Sequence, residues 1–502
     1  MTLYNINMGI GWASSGVEYA QSYRAKLLRM IGAKGIFIFT DLILNENVQH
    51  LTKNIGFEDD EVIWMYHYFT DIKLAPTTYT LKDVLESIPF HIEKEEASGK
   101  IRRYFYDNNQ QFVTCYLSKE TADFVDRAEF VSKGCLIRKD YYNYTRYCSE
   151  YFTPKNNKAH LYQRRFFNED GSTAFDEILD EESHLYRFKD HMFLSTRELL
   201  TYFINSLQLT EKDIVILDRS SEIGQAVMEG KGRAKTGCVV HAEHYSKNAK
   251  DNDYILWNNY YEYEFTHADQ VDFFICSTEA QSETLRYHFK KYQGISPRVV
   301  TIPVGSLEQL KRPAQERNPF SLVTASRLAS EKHIDWLILA VIEAKKVLPE
   351  LTFDIYGKGS EENKLQELIK EHAAQDYIRL MGHVDLETIY PEYEAYLAGS
   401  TSEGFGLTLM EAVGSGLPII GFDVPYGNVT FVEHEKNGLL IPKEESDQLD
   451  LIVSQFSEAI IAMYQDYQIE EWQEHSYTIA EKFLSQTVAN DWKEFLKEFD
   501  NA

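Results

Sequence analysis

Short apolar strands alternate with helices along most of this chain. That alternation points to one architecture, parallel strands joined by crossover helices. The first 41 residues show the unit. Leu3 to Asn7 reads as a strand and Gly9 to Gly16 as a loop. Val17 to Ile31 reads as a helix, with Tyr19, Tyr23, Leu27 and Met30 at spacings of three to four, and Lys34 to Asp41 as a buried strand. The rhythm resumes near Asp190, with strands at Ile214, at Gly237 to His241, at Phe273 and at Val299. A polar linker, Pro313 to Pro319, then leads to a second α/β region with strands starting at Ser321, Thr352, Ile378, Ala395 and Pro418.

Between about Thr80 and Phe188 the helical period fades. Short aromatic, alternating runs take its place: Ile101 to Tyr106, Phe112 to Leu117, Cys135 to Arg138, Tyr141 to Tyr147 and His160 to Phe167. Asp107-Asn-Asn and Asn168-Glu-Asp-Gly-Ser supply turns. The expected domains are therefore 1–79 with 189–315, an antiparallel β insertion over 80–188, a second α/β domain over 316–467 and a helical arm over 468–502. Two such α/β domains facing a cleft would bind ligand beyond their strand carboxyl ends.

The chain has 502 residues and a formal net charge of −27. Such a surface repels a nucleic-acid backbone, so no nucleic-acid partner is expected, although a few local cations can still hold a small phosphate-bearing ligand. Five cysteines, Cys115, Cys135, Cys148, Cys238 and Cys276, lack metal-ligand spacing and read as free buried thiols of a reducing compartment. No signal peptide and no membrane-length apolar run is legible, so the expectation is a cytoplasmic protein, with peripheral contact at the inner face of the membrane left open.

Four motifs close predicted strands. Glu403-Gly-Phe-Gly-Leu-Thr-Leu-Met-Glu411 sets two carboxylates eight residues apart around a glycine turn that opens a helix, where bare amides can approach an anion. Ser326-Arg327-Leu-Ala-Ser-Glu331-Lys332 offers a planar fork and a point charge suited to a diphosphate. Gly16-Val17-Glu18-Tyr19 opens the first helix with a glycine that admits phosphate to the backbone. Tyr356-Gly-Lys-Gly-Ser360 and Met381-Gly-His383-Val384 end neighbouring strands. His241, with His244 as its competitor, closes a strand of the first domain and can bond a sugar hydroxyl. Each motif alone reads as readily as an ordinary turn or helix start; their common position at strand ends makes them a set. Asp251-Asn-Asp253 resembles a metal-binding triplet but reads as loop.

Arg327 with Lys332, Glu403 with Glu411, the Gly16-Val17-Glu18 turn and the Gly421-Phe-Asp-Val-Pro-Tyr-Gly-Asn428 segment resemble retaining glycosyltransferases of family 4, over about residues 1–41 and 200–480. With its insertion, the whole chain resembles the GtfA-type subunits of streptococcal enzymes that glycosylate serine-rich repeat adhesins. The resemblance implies a GT-B fold, UDP-N-acetylglucosamine as donor, Ser/Thr hydroxyls of the adhesin as acceptors and a non-catalytic GtfB-type partner. It implies that Arg327 and Lys332 hold the diphosphate and Glu411 the ribose, and that Glu403 and the amides of Gly404, Phe405 and Gly406 bind the sugar with His241. Gly16, Val17, Glu18, Tyr19, Leu407, His383 and Val384 would contact UDP, the last two through backbone to the uracil. Ser15 departs from the usual Gly-Gly turn. With the Arg327 and Lys332 pair in the metal's place, no metal and no cofactor is expected. Two other readings stay open: a wall teichoic acid N-acetylglucosaminyl or glucosyl transferase, and an inactive partner or chaperone subunit.

Overall fold

A computed structural model of the chain describes residues 1–502 except 12–15, 109, 157, 181–182, 385, 387, 444–447 and 501–502. Ser15 and part of the Asp107-Asn-Asn turn therefore lie outside the described residues. The chain divides into two compact units: Met1–Ala25 with Ala33–Gly237, and Lys26–Gly32 with Cys238–Ala502.

In the first unit, strands Ile214–Leu217, Thr2–Asn7, Lys34–Phe39 and Val62–Trp64 lie side by side and parallel. Leu3, Ile6, Phe37, Ile38 and the whole of Ile214–Leu217 are fully buried, as a sheet covered on both faces requires. The same unit carries a ten-stranded antiparallel sheet running from Lys94–Ser98 at one edge to Met192–Phe193 at the other, in chain order. It is larger than the aromatic runs suggest. Lys94–Ser98, Val125–Ser132, Thr173–Asp180 and Ser183–Arg187 are strands too, whereas Tyr141 to Tyr147 is broken by a turn in which Asn143 and Thr145 exchange hydrogen bonds.

One part of this sheet buries Tyr104, Val113, Cys115, Val125, Ala128 and Phe130 beneath the short helix Leu81–Glu86. Another stacks Phe166 between Tyr66 and Phe175, with centroids 5.3 and 4.4 Å away. Its polar positions are cross-linked. Arg164 lies 2.9 Å from both Glu150 and Glu177, and Arg138 and Arg146 lie over the rings of Phe130 and Phe167. Such cross-strand pairs hold register in a sheet this wide.

The second unit contains a six-stranded parallel sheet. Its order is Ile378–Gly382, Thr352–Tyr356, Ser321–Ala325, Ala395–Ala398, Ile419–Phe422, Gly438–Ile441. Residues from Cys238 to the 313–319 linker belong to this unit as well, and the C-terminal helices account for part of that. The main chain of Leu307 pairs with Phe483 and Ser485 at 2.8 Å each. Helix Ser485–Asp500 sets Phe495 and Phe499 against Phe273 at 4.9 and 5.5 Å. Asp251-Asn-Asp253 is the tip of a hairpin, where the Asp251 carboxylate accepts the amides of Asp253 and Tyr254 at 2.8 Å. All five cysteines are free; four are buried, but Cys135 is exposed, contrary to the expectation of buried thiols. Among the described residues no helix is long and apolar enough to cross a membrane.

His67 offers a measurable consequence. Part of the residue reaches the surface, but both ring nitrogens are buried without a hydrogen-bond partner, and the ring lies against Trp64 and Tyr147. Burial holds its pKa down to about 3. The unfolded chain takes up this proton below about pH 6.5 and the folded chain does not, so the folded state loses about 1.4 kcal/mol per pH unit as pH falls below that value. His67→Phe keeps the packing and removes the slope. Melting curves from pH 7.5 to 5 are expected to show the variant gaining on the parent by about 2 kcal/mol at pH 5; parallel curves would refute this.

Candidate glycosyl-transfer site

All six strands of the second unit's sheet are parallel, so their carboxyl ends share one edge. Ser326 to Lys332 leaves the strand Ser321–Ala325 at that edge, Gly399 to Gly406 leaves Ala395–Ala398, and His383 and Val384 leave the outermost strand, Ile378–Gly382. Gly399 is there for space. A Cβ would stand 2.7 Å from the Lys332 carbonyl oxygen, so only glycine lets the Arg327 to Lys332 turn lie against this strand end.

Lys332 and Glu403, 71 residues apart, meet in an ion pair of 2.7 Å, each about one-fifth exposed. The carbonyl of Glu403 accepts the amides of Tyr426 and Gly427 at 2.8 and 2.9 Å. Just beyond, Gly406 at φ 87° starts the helix Leu407–Gly414, which has no side-chain cap. Its first amides and the positive end of its dipole are thereby presented beside Glu403. Glu411 lies on this helix, near the buried hydroxyl of Tyr390, whose pKa is held well above normal by burial and by the neighbouring Tyr396 and Glu411. Phe405 points the other way, buried against Phe431 and Phe483, so of this residue only the main chain is offered to a ligand.

His241 joins this group. A Cβ on Gly404 would lie 2.4 Å from the His241 carbonyl oxygen, so the two backbones are in direct contact. The amides of His241 and Ala242 both donate to the Tyr261 hydroxyl at 2.9 Å. Arg327 stands apart: its guanidinium is largely exposed and paired with Glu331, four residues on, at 2.6 Å. Leu407 packs toward Gly305. His383 and Val384 are exposed, next to Gly382, whose carbonyl accepts the Gly357 amide at 2.8 Å.

Gly16, Val17, Glu18 and Tyr19 belong to the first unit, where Gly16 begins the helix Gly16–Met30. The Glu18 carboxylate turns inward. It accepts from Asn7 at 3.3 Å and pairs with Arg219 at 3.2 Å, beside the buried Arg24–Asp218 pair. Tyr19 is exposed.

Three features escaped the sequence. A cavity of about 20 Å³, room for one water, is lined by Lys332, Ser400, Glu403, Thr408 and Asn428. Asn428 donates Nδ2 to the Phe422 carbonyl at 2.8 Å and buries its Oδ1 without a partner. Tyr426 carries a hydrogen-bonded chain of its own, taken up below. Nothing in local spacing announces Asn428 or Tyr426 except their place in the Gly421 to Asn428 segment.

The model of the GtfA extended beta-sheet domain matches residues 94–190, and that of glycosyl transferases group 1 matches residues 319–466. The UDP-N-acetylglucosamine–peptide N-acetylglucosaminyltransferase GtfA subunit of Streptococcus gordonii is 58% identical over 499 residues, 99% of each chain. The chain belongs to the GtfA family. The crystal structure of the pneumococcal O-GlcNAc transferase GtfA in complex with UDP and GlcNAc covers all of this chain and 99% of its own, at 55% identity and a TM-score of 0.96. The structure of a GtfA/B complex matches with 57% identity and a TM-score of 0.95, covering 100% of both chains. The fold is therefore GT-B with an antiparallel sheet in its N-terminal part, and the matched sheet domain is the one that interrupts the α/β alternation.

In this GtfA-family chain the Gly404 contact has backbone on both sides, with no flexible side chain to yield. Gly404→Ala is expected to lower stability by about 1–3 kcal/mol and to cut sugar transfer at least tenfold. Thermal unfolding and UDP release with donor present check both; an unchanged variant would remove the contact from the site.

Proposed function

We propose that the chain is the catalytic subunit of a retaining transferase that moves N-acetylglucosamine from UDP-N-acetylglucosamine to Ser/Thr hydroxyls of a serine-rich repeat adhesin, together with a GtfB-type subunit. The observation that carries this reading is the meeting of Lys332 and Glu403 at an uncapped helix N-terminus, with the His241 backbone packed on Gly404. Membership of the GtfA family supports it, since a GtfA subunit and a GtfA/B complex are what the relatives are described as. The same reading puts the protein in the cytoplasm, at or near the inner face of the membrane.

In the reaction the bond from the anomeric carbon to the diphosphate oxygen breaks, the bond to the acceptor oxygen forms, and the hydroxyl proton passes to a phosphate oxygen of the departing UDP. Negative charge grows on the diphosphate and positive charge on the sugar ring. Preorganised cations and amides stabilise that state more than the ground state. Arg327 and Lys332 would hold the diphosphate, and Glu411 the ribose. Glu403, the amides of Gly404 to Gly406, and His241 would hold the sugar. Gly16 to Tyr19, Leu407, His383 and Val384 would complete the UDP contacts, Glu18 through its main chain. Both cations now pair with carboxylates. The Arg327–Glu331 pair is exposed, worth about 0–1 kcal/mol at most, so exchanging it for a bidentate diphosphate contact is favourable.

Arg327→Ala and Lys332→Ala are each expected to lower transfer by about 10² or more, measured as UDP release and as sugar incorporated into a Ser/Thr-rich peptide. Turnover like that of the parent in either variant would remove the diphosphate assignment. A polyol-phosphate acceptor used in preference to the peptide would favour the teichoic acid reading, and no UDP release at all would favour an inactive subunit. Turnover is expected to persist in EDTA; loss restored by manganese would show that the Arg327 and Lys332 pair does not suffice.

The ten-stranded sheet holds none of these donor-site residues. In this proposal it docks the partner subunit and helps to position the acceptor. Replacing about residues 98–175 by a short Gly/Ser linker is expected to spare UDP binding and abolish both complex formation and peptide glycosylation. Normal assembly and modification would reduce the sheet to a brace.

A further inference from the structure

Tyr426 grips two loops at once. Its amide donates to the Glu403 carbonyl at 2.8 Å, while its side chain, 2% exposed, reaches residues 243–244. There the hydroxyl lies 2.5 Å from Glu243 Oε1 and 3.3 Å from His244 Nδ1, and His244 Nε2 lies 2.9 Å from His288 Nδ1. The other oxygen of Glu243 faces Lys247 Nζ at 3.4 Å.

The proton positions along this chain follow from counting. Burial lowers the pKa of His244 to about 3 and of His288 to about 4, with His288, Lys250 and Lys291 adding to it, so both rings are neutral near pH 7. A neutral imidazole has one donor and one acceptor. Tyr426 has one proton, and the short contact assigns it to Glu243, the stronger acceptor. His244 must then donate Nδ1–H to the tyrosine oxygen, which leaves its Nε2 to accept Nδ1–H from His288. The donors in the line run in one direction only, from His288 through His244 and Tyr426 to Glu243. Asn258 fixes the receiving loop, donating Nδ2 to the Glu243 carbonyl and its amide to the His244 carbonyl, both at 3.0 Å.

His241 lies two residues before Glu243, and Tyr426 is bonded directly to Glu403. We infer that the Tyr426 hydroxyl, held by Glu243 and the His244–His288 pair, is a positioning group that sets the separation between the His241 loop and the Glu403 loop, and with it the placement of the donor's sugar. The inference rests on the function proposed above. The Gly404 contact with His241 keeps the two loops from approaching further; Tyr426 keeps them from parting. Arg327, His383 and Val384 are not part of this line of bonds, and Lys332 meets it only through the Glu403 carboxylate, so most of the hold on the nucleotide should not depend on it.

The test uses the full chain in complex with its partner subunit, with UDP as the binding probe. Parent turnover is read first: if the parent transfers no sugar, the proposed function fails and the inference is not what has been disproved. With an active parent, Tyr426→Phe is expected to lower kcat for transfer about tenfold or more, with the Kd for UDP within about twofold of the parent. Glu243→Ala should match it. Glu243→Gln, whose amide oxygen still accepts the tyrosine proton, should restore most of the lost turnover. The Tyr426→Phe/Glu243→Ala double variant should be no worse than either single variant, the mark of one shared interaction. Parent-like turnover in Tyr426→Phe overturns the inference. UDP affinity falling in step with kcat overturns it too, because that is general loss of structure. Should Tyr426→Phe fail to fold, the Glu243 pair decides: Gln no better than Ala overturns the inference, and rescue by Gln supports it.

Discussion

Glu403 is held at both ends, and the candidate site is organised around that residue. Its carbonyl takes two amides from Tyr426 and Gly427, which ties the loop after Ala395–Ala398 to the segment after Ile419–Phe422. Its carboxylate takes Lys332 from the neighbouring strand's loop. Three strand ends are thus gathered on one residue before any ligand is considered. The arrangement needs a parallel sheet, because only parallel strands deliver successive loops to the same edge. It also needs glycine wherever backbones come closer than a Cβ allows, as Gly399 and Gly404 show.

Much of this was legible, and for a definite reason. Strand, glycine turn and helix start form a local pattern, so Arg327, Lys332 and Glu403 could be placed at strand ends, and Glu411 on the helix that follows, from spacing alone, and parallel order does the rest. The family resemblance added chemistry that spacing cannot supply. Long-range side-chain geometry was not legible. Tyr426 reaches Glu243 across 183 positions, and His244 reaches His288 across 44; no periodicity encodes either. The inward turn of Glu18 depends on Asn7 and Arg219, which flank different strands.

The antiparallel sheet was recognised by its aromatic alternation and underestimated by the same signal. Lys94–Ser98 is wholly exposed and charged, and it alternates nothing that a pattern search would notice. A strand of that composition suits an edge, where charge discourages indiscriminate pairing with other chains. Inside the sheet, arginines lie on rings and between carboxylates. The polar face is thereby ordered rather than loosely solvated.

The C-terminal helix has a bearing on how the molecule comes into being. Phe273 sits in a strand near the middle of the chain, yet Phe495 and Phe499 pack on it, and the main chain of Leu307 bonds to Phe483 and Ser485. During synthesis the middle of the second unit therefore emerges long before the residues that cover it. For that interval Phe273 and its neighbours are exposed to whatever else the cell offers, and a nascent chain in that condition is a natural client for a chaperone. The unit that holds the Lys332–Glu403 pair is thus covered late.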